Sequence, residues 1–454
     1  MSYGVKIEYG VSDWQVFQHH KGTSTIHLGG VWEEIEGFSE RRTVMVRVVR
    51  ERDNQQIIPW MEAENQTFVT PLYGHWDTRI TIPSGGLYRI ETSLDIGNNN
   101  RATMRRGDIR FHIGVGNLFI IAGQSNSAGY GRGDAWDPPT LGVAMYRNMG
   151  RWDLASHPIN DPTNAFEEPN IAPNTVGTSP YLAFGRLFQE ISGMPVGLIP
   201  TSLGNTPLSR WEKGGDLYQN MIRRLEKIGG HIAGVLWYQG CSDTGNPELF
   251  NSYGMRFAKM VRDFRELLKY EVPFFTFQLN MHTNSQNQEG WAVVKEAQRV
   301  CGTSLPRVYV LPTHDCAISD NIHNNSVSNV LLGERLARQA AYRICGGLAY
   351  DAPNITKAVC VEKKLTLTFS NVRFGFELHG HTPGYGFVVT DELGVVDITS
   401  WTTSAGTLTL DLMRELGEEA YVSFETGTNP GKQPISDTVT YMPPLCFYRL
   451  SIEK

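Results

Sequence analysis

The stretch Leu118-Phe119-Ile120-Ile121-Ala122-Gly123-Gln124-Ser125-Asn126-Ser127 decides how the rest of the chain is read. Its apolar run carries no polar alternation, which is the mark of a strand covered on both faces, as at the centre of a parallel sheet. A glycine and several small polar residues then end the run. Similar short apolar runs follow at residues 196–200, 232–238, 273–279 and 308–311. Helical periodicity lies between them. Leu217, Met221, Leu225 and Ile228 share one face, and Phe250, Phe257, Met260, Val261, Phe264 and Leu268 another. Trp291, Val294 and Val300 suggest a further helix. The apolar positions from Val327 to Ile344 give the last, closed by Gly346-Gly347. Strands alternating with helices imply an α/β fold, a parallel sheet with helices on both faces.

Away from this block the chain changes character on both sides. Val44-Met45-Val46-Arg47-Val48-Val49 and Leu87-Tyr88-Arg89-Ile90-Glu91-Thr92 are rich in β-formers, and Pro83-Ser84-Gly85-Gly86 is turn chemistry. Near the other end, Leu365-Thr366-Leu367-Thr368-Phe369 and Leu408-Thr409-Leu410-Asp411-Leu412 alternate with period two. The expected organisation is a β-rich domain over 1–115, an α/β domain over 116–348 and a sandwich-like β domain over 349–454.

Composition narrows the function. Of 454 residues, 41% are hydrophobic and 19% charged, which suits large folded cores and excludes a disordered chain. Lys+Arg 41 against Asp+Glu 47 leaves a net charge of -6, with no basic field of the kind a nucleic-acid partner requires. No apolar run approaches the ~20 residues of a membrane span, so no membrane partner is expected. Met1-Ser2-Tyr3-Gly4-Val5-Lys6-Ile7-Glu8 has neither a basic start nor an apolar core, which points to a cytoplasmic protein or to a mature secreted form. The cysteines at 241, 301, 316, 345, 360 and 446 show no C-x-x-C pair, so reduced thiols are expected rather than a metal site. Gly129-Tyr130-Gly131-Arg132-Gly133 fails the dinucleotide pattern, because the third glycine would fall at Asp134. No P-loop or H-E-x-x-H is present, and the expectation is no cofactor and no metal. The pattern leaves the oligomeric state open.

In an open parallel sheet, ligands bind beyond the carboxyl ends of the strands. The segments there are Gly123-Gln124-Ser125-Asn126-Ser127, Ser202-Leu203-Gly204-Asn205-Thr206, Gln239-Gly240-Cys241-Ser242-Asp243, Asn280-Met281-His282, Thr313-His314-Asp315 and Asp320-Asn321-Ile322-His323. A serine, a glycine, amides and an Asp/His pair on one rim form the set that nucleophilic acyl transfer needs: nucleophile, base, orienting group and oxyanion donors.

These blocks carry a resemblance. Gly123-Gln124-Ser125-Asn126 resembles the nucleophile block of SGNH-type esterases, in the branch of sialate O-acetylesterases and related carbohydrate acetylesterases. Leu203-Gly204-Asn205-Thr206-Pro207, Trp237-Tyr238-Gln239-Gly240-Cys241-Ser242-Asp243 and Asp320-Asn321-Ile322-His323 are similar to its later blocks and come in family order. The resemblance implies an SGNH (flavodoxin-like) three-layer domain flanked by β-rich domains, and an acetylated carbohydrate as substrate. Two positions depart from the branch: Asn205 stands where a second glycine is usual, and Cys241 where a glutamate is usual. Asn tolerates positive φ better than most residues, so the turn at 205 is expected to survive.

The expected roles follow. Ser125 is the nucleophile, although a serine after a strand also serves as a plain helix cap. His323 is the base and Asp320, one turn before it, fixes its tautomer. His314 with Asp315 is the rival pair. The N–H groups of Ser125 and Gly204 and the side-chain amide of Gln239 are the expected oxyanion donors, with Asn205 competing for the amide role. Cys241 is expected to pack, a cysteine nucleophile being the alternative. Trp136, Trp211 and Tyr238 suit either sugar stacking or the core. The activity expected is serine-dependent removal of O-acetyl groups from a carbohydrate. A non-catalytic carbohydrate-binding protein on an esterase scaffold, or an esterase or thioesterase for other acyl chains, are the alternatives.

Overall fold

A computed structural model describes residues 4–34, 42–97, 104–163, 165, 169–170, 177–379, 386–430 and 435–454. One strand, Met104–Gly123, runs through the middle of it. From Asn117 onward its neighbours are parallel: Val196–Pro200 on one side and Gly234–Tyr238 on the other. Phe274–Phe277 and Val308–Leu311 extend the sheet past Gly234–Tyr238. Val143–Tyr146 extends it past Val196–Pro200 and is edged antiparallel by Trp152–Leu154. That edge pair was not expected from the sequence, because runs of four and three residues carry no usable period.

The helices are α1 (Ser125–Ala128), α2 (Tyr181–Ser192), α3 (Asp216–Lys227), α4 (Pro247–Leu268), α5 (Gln288–Ser304) and α6 (Ser326–Cys345). Successive side chains of a strand point to opposite faces. Leu118, Ile120 and Ala122 accordingly join a core with residues of α3, α4 and α5, while Phe119 and Ile121 join one with residues of α2 and α6. Both faces are covered, which is why the central run is apolar throughout. Asn246 caps α4 by accepting from the N–H of Glu248 at 2.8 Å, with Pro247 in the first turn. Asn325 caps α6 in the same way, through Ser328. Helix α2 went unread in the sequence: its N-cap is Pro180, which makes no side-chain cap bond, and Gly185 interrupts its pattern.

The first half of Met104–Gly123 belongs to a different environment. There it pairs antiparallel with Gly85–Asp95, which pairs with Thr43–Arg50. A second sheet, in which Thr23–Glu33 pairs with Tyr73–Pro83, encloses with it a core containing Trp32, Val44, Val46, Trp76 and Ile90. Toward the other end, the alternation at 365–369 and 408–412 becomes an antiparallel pair with Leu365, Leu367, Leu408 and Leu410 inward. This region is tied to the α/β sheet by Gln278, whose amide donates to the Cys446 carbonyl at 2.9 Å and accepts from its N–H at 2.8 Å. All six cysteines are free thiols.

Phe119 meets Phe184 and Phe188 edge-on at 4.9 and 5.1 Å between ring centroids, in a fully buried cluster. Phe119→Ala should therefore cost ~3–5 kcal/mol, read as a lowered midpoint in urea unfolding. A midpoint within error of the wild type would mean that this contact does not hold α2 on the sheet.

Candidate active site

The central strand ends at Gly123, where φ is 123° and an added side chain would run into the carbonyl of Tyr238. Only glycine fits that reversal. The chain then enters α1 at Ser125, at the point where the sheet's connections diverge to left and right. Gln124 anchors the turn: its Oε1 accepts from the N–H groups of Gly240 and Ser242, at 3.0 and 3.4 Å. Asn126 anchors it on the other side. Its Oδ1 accepts from Asn324 N–H at 2.9 Å and its Nδ2 donates to the Ile322 carbonyl at 3.2 Å, so it grips the backbone on both sides of His323. Asn280 also donates to the Ile322 carbonyl, and to Asn324 Oδ1 at 3.0 Å.

His323 Nδ1 lies 2.6 Å from Asp320 Oδ2, and Asp320 Oδ1 accepts from the N–H groups of Ile322 and His323 at 2.8 Å each. Burial pushes the Asp320 carboxyl up, but these hydrogen bonds outweigh it and hold the group below the usual carboxylate range. The ring of Tyr130 lies over His323, with centroids 5.1 Å apart. Gly204 packs beside it: a Cβ there would come within 2.8 Å of the Tyr130 hydroxyl and would push that side chain aside. Asn205 has φ 56°, so the turn survives the loss of the second glycine.

These groups open on one cavity of about 500 Å³, lined by Ser125, Gly204, Asn205, Cys241, His282 and His323 among others. The N–H groups of Ser125 and Gly204 have no hydrogen-bond acceptor among the described residues. A larger cavity of about 730 Å³ lies at the amino ends of the strands, around His20, His231 and Tyr270, with no serine, threonine or cysteine on its wall. Among the described residues no group of three or more His, Cys, Asp or Glu side chains is arranged to hold a metal ion, and no helix is long and apolar enough to cross a membrane.

Gln239 corrects the sequence reading. Its side chain is buried beneath the loop rather than at the cavity, with Nε2 donating to Asp243 Oδ2 at 2.6 Å and to the Thr206 carbonyl at 3.1 Å. Both amide hydrogens are occupied, so this amide does not reach the cavity as a donor. The rival pair is also engaged elsewhere: Asp315 is bound by Arg335 at 2.6 Å, and His314 Nδ1 lies 3.3 Å from Cys446 Sγ in the core. Cys241 lines the cavity, but burial pushes its thiol up to about 12, far from a reactive thiolate. Trp211 and Tyr238 are core residues, and Trp136 is 84% exposed. Two residues of the site went unassigned in the sequence. Tyr130 was hidden in a glycine-rich run. His282 has no acidic partner nearby in sequence, and burial followed by the neighbouring His323 holds its imidazole below the usual histidine range.

The family model described as "Carbohydrate esterase, sialic acid-specific acetylesterase" matches residues 115–342, half of the chain. The chain belongs to this family. It is a carboxylic ester hydrolase. It is similar to a probable carbohydrate esterase of Arabidopsis thaliana, 27% identical over 261 residues, which span 52% of this chain and 95% of that one. Its fold is similar to that of a carbohydrate acetylesterase from Xanthomonas citri, with a TM-score of 0.68 at 19% identity over 96% of this chain and 97% of that one. The family match covers the parallel sheet and its loops, while the Xanthomonas likeness extends over both flanking β regions.

His314 gives a stability prediction that is independent of catalysis. Burial pushes its imidazole down to about 3, whereas an unfolded chain takes up that proton near ~6.5. Between those values the unfolded state binds a proton that the folded state does not, so stability falls as pH is lowered, by about 1.4 kcal/mol per pH unit. His314→Gln should flatten that part of the pH dependence of the urea midpoint. An unchanged slope would place the acid sensitivity in other groups.

Proposed function

We propose that the protein removes O-acetyl groups from a carbohydrate through a Ser125–His323–Asp320 triad. The supporting observation is one cavity that presents Ser125, His323 backed by Asp320 at 2.6 Å, and the unpaired N–H groups of Ser125 and Gly204. His323 Nε2 takes the Ser125 proton as Oγ attacks the ester carbonyl. The two N–H groups hold the oxyanion, each donor worth roughly 10²–10³ in rate. The C–O bond to the sugar breaks and His323 returns the proton to the departing alcohol oxygen. Water, deprotonated by His323, then attacks the acetyl-serine, and acetate leaves with Ser125 restored. Asp320 holds the Nδ1–H tautomer and stabilises the imidazolium. In this reading the α/β unit is an SGNH-type three-layer domain over 116–348, with 1–115 and 349–454 as flanking β domains. Sialylated glycans are one candidate substrate class among acetylated sugars.

Ser125→Ala should lower kcat by ~10³–10⁶ on an aryl acetate while leaving the unfolding midpoint in place. A variant that keeps a tenth of wild-type activity would remove Ser125 from the mechanism. A chain-length series separates acetyl from longer acyl substrates: activity should fall steeply beyond acetate esters, and a flat profile would favour a general esterase.

The two amides at the second and third strand ends give a further test. Gln239→Ala leaves the buried Asp243 short of a donor, so it should cost ~1–3 kcal/mol of stability. Its effect on kcat per folded enzyme should be small. Asn205→Gly keeps a backbone that suits positive φ and should stay within about tenfold in kcat, a change of ~1.4 kcal/mol. A loss of ~10²–10³ in either variant at unchanged stability would make that amide an oxyanion donor.

A further inference from the structure

The N-terminal β region carries a cavity of its own, of about 530 Å³, on the outer face of one sheet. Side chains of Thr43–Arg50 and Gly85–Asp95 alternate between the two faces. Val46, Val48 and Ile90 are fully buried in the core, so Arg47, Arg89 and Glu91 point outward. The ladder to Met104–Gly123 shifts register between Glu91 and Ser93, and Arg106 lines the cavity together with Ile109 and Phe111. Glu91 fixes two of the arginines. Its Oε2 accepts from Arg47 Nε and Nη2 at 2.8 and 2.6 Å, and its Oε1 accepts from Arg89 Nε. Burial pushes the Glu91 carboxyl up, but the two guanidinium groups outweigh it and hold it below the usual carboxylate range. Arg47 also lies over the Trp60 ring, 4.6 Å from its centroid, and Arg89 Nη1 donates to Asn54 Oδ1 at 2.8 Å. Donors remain unspent: Arg47 Nη1, Arg89 Nη2 and the whole Arg106 guanidinium have no acceptor among the described residues, and none is sealed from solvent. Three arginines against one glutamate make this wall positive in a chain whose net charge is -6. Phe111 beside them is 42% exposed. Apolar walls with a few convergent polar groups are the composition of a small-ligand site.

We propose that this cavity is a non-catalytic binding site for a carboxylated sugar unit of a glycan. Arg106 supplies a planar fork that matches a carboxylate, and the free nitrogens of Arg47 and Arg89 add donors already held in place by Glu91. Phe111 offers its ring to the apolar C–H face of a pyranose. The cavity shares no lining residue with the one around Ser125. Phe111 lies twelve residues before Gly123 on the same strand, up to about 40 Å at ~3.3 Å per residue. A glycan bound there is tethered without engaging Ser125. The positive charge stands on the geometry alone, whereas the choice of a sugar over another small anion rests on the reading of the protein as a carbohydrate esterase. A nucleic acid is disfavoured, because the chain as a whole has no basic field to follow a phosphate backbone.

Calorimetric titration of the full chain with trigalacturonic acid and with sialyllactose tests this. At least one of the two should bind, and its carboxamide form, which keeps the rings and removes the charge, should bind at least ~10-fold more weakly. Raising the salt concentration should weaken the acid as well. Arg106→Glu changes an exposed side chain with no partner among the described residues, so folding should be unaffected. It should weaken the bound acid by ~10–100-fold, and Phe111→Ser should weaken it by about tenfold. In both variants kcat and KM on an aryl acetate should stay within about twofold of wild type. The proposal is overturned if neither acid binds, or if the carboxamide binds as tightly as the acid. Unchanged binding in Arg106→Glu overturns it too, since the acid then sits elsewhere on the protein. Equal competition by a triglutamate peptide would make this a general anion site and overturn the assignment to a sugar. Aryl acetate turnover keeps the two readings apart. A wild-type protein that turns over no aryl acetate fails as an esterase whatever the titration shows, whereas an active enzyme that binds neither acid loses only this site.

Discussion

The end of the central strand is the constraint on which the site depends. Met104–Gly123 is flanked by parallel strands on both sides over its last residues and covered by helices on both faces. Its end has no room to spread. At Gly123 the backbone passes against the carbonyl of Tyr238, and the chain must reverse into α1 within a few residues. That forces Ser125 into the crevice where connections to the left and right halves of the sheet part, the place where an open α/β sheet leaves space for a ligand.

Holding the other half of the site there takes a polar network. Residues 320–323 come from a loop almost two hundred positions later in the chain, and a surface loop left to itself would move. Asn126 and Asn280 fasten it with hydrogen bonds to the backbone beside His323, and the Asn324 side chain ties it further to Asn280 and to the Tyr238 hydroxyl. Asn324, which heads an N-x-S triplet, is thus fully buried and unavailable to a glycosylating enzyme. Asn126 bonds only to backbone groups at both ends of its amide, whereas Asn280 spends its nitrogen on the Ile322 carbonyl and Asn324 and leaves its buried Oδ1 without a partner among the described residues.

The C-terminal β region reaches the same cavity from a third direction. The Thr428 carbonyl accepts from His282 N–H at 2.6 Å, and Lys295 donates to the carbonyls of Glu425 and Gly427 at 3.0 and 3.1 Å from inside α5. Burial lowers the Lys295 ammonium below the usual lysine range, and the carbonyls together with the nearby Glu425 are what compensate its charge. Segment 425–428 is therefore tied to α5, and through Thr428 it holds the loop that carries His282 into the cavity wall. That part of the cavity wall depends on residues far outside the parallel sheet.

What the sequence by itself determined is what local pattern encodes. Apolar runs covered on both faces imply a parallel sheet, and strand ends mark the rim. The Asp320–His323 spacing closes on itself within one turn, so that pair was readable without the fold. The roles of single polar side chains were not readable, because they depend on partners distant in sequence. Gln124 and Gln239 both sit at strand ends and are equivalent in type. Gln239 is engaged by Asp243 and Thr206, whereas Gln124 is turned by Gly240 and Ser242, 116 and 118 positions away. His314 beside Asp315 matched the chemistry of a catalytic pair until Arg335 and Cys446 claimed its members. A periodic pattern records which face of an element is buried. Which hydrogen bond a buried amide or imidazole makes is decided only when the elements pack.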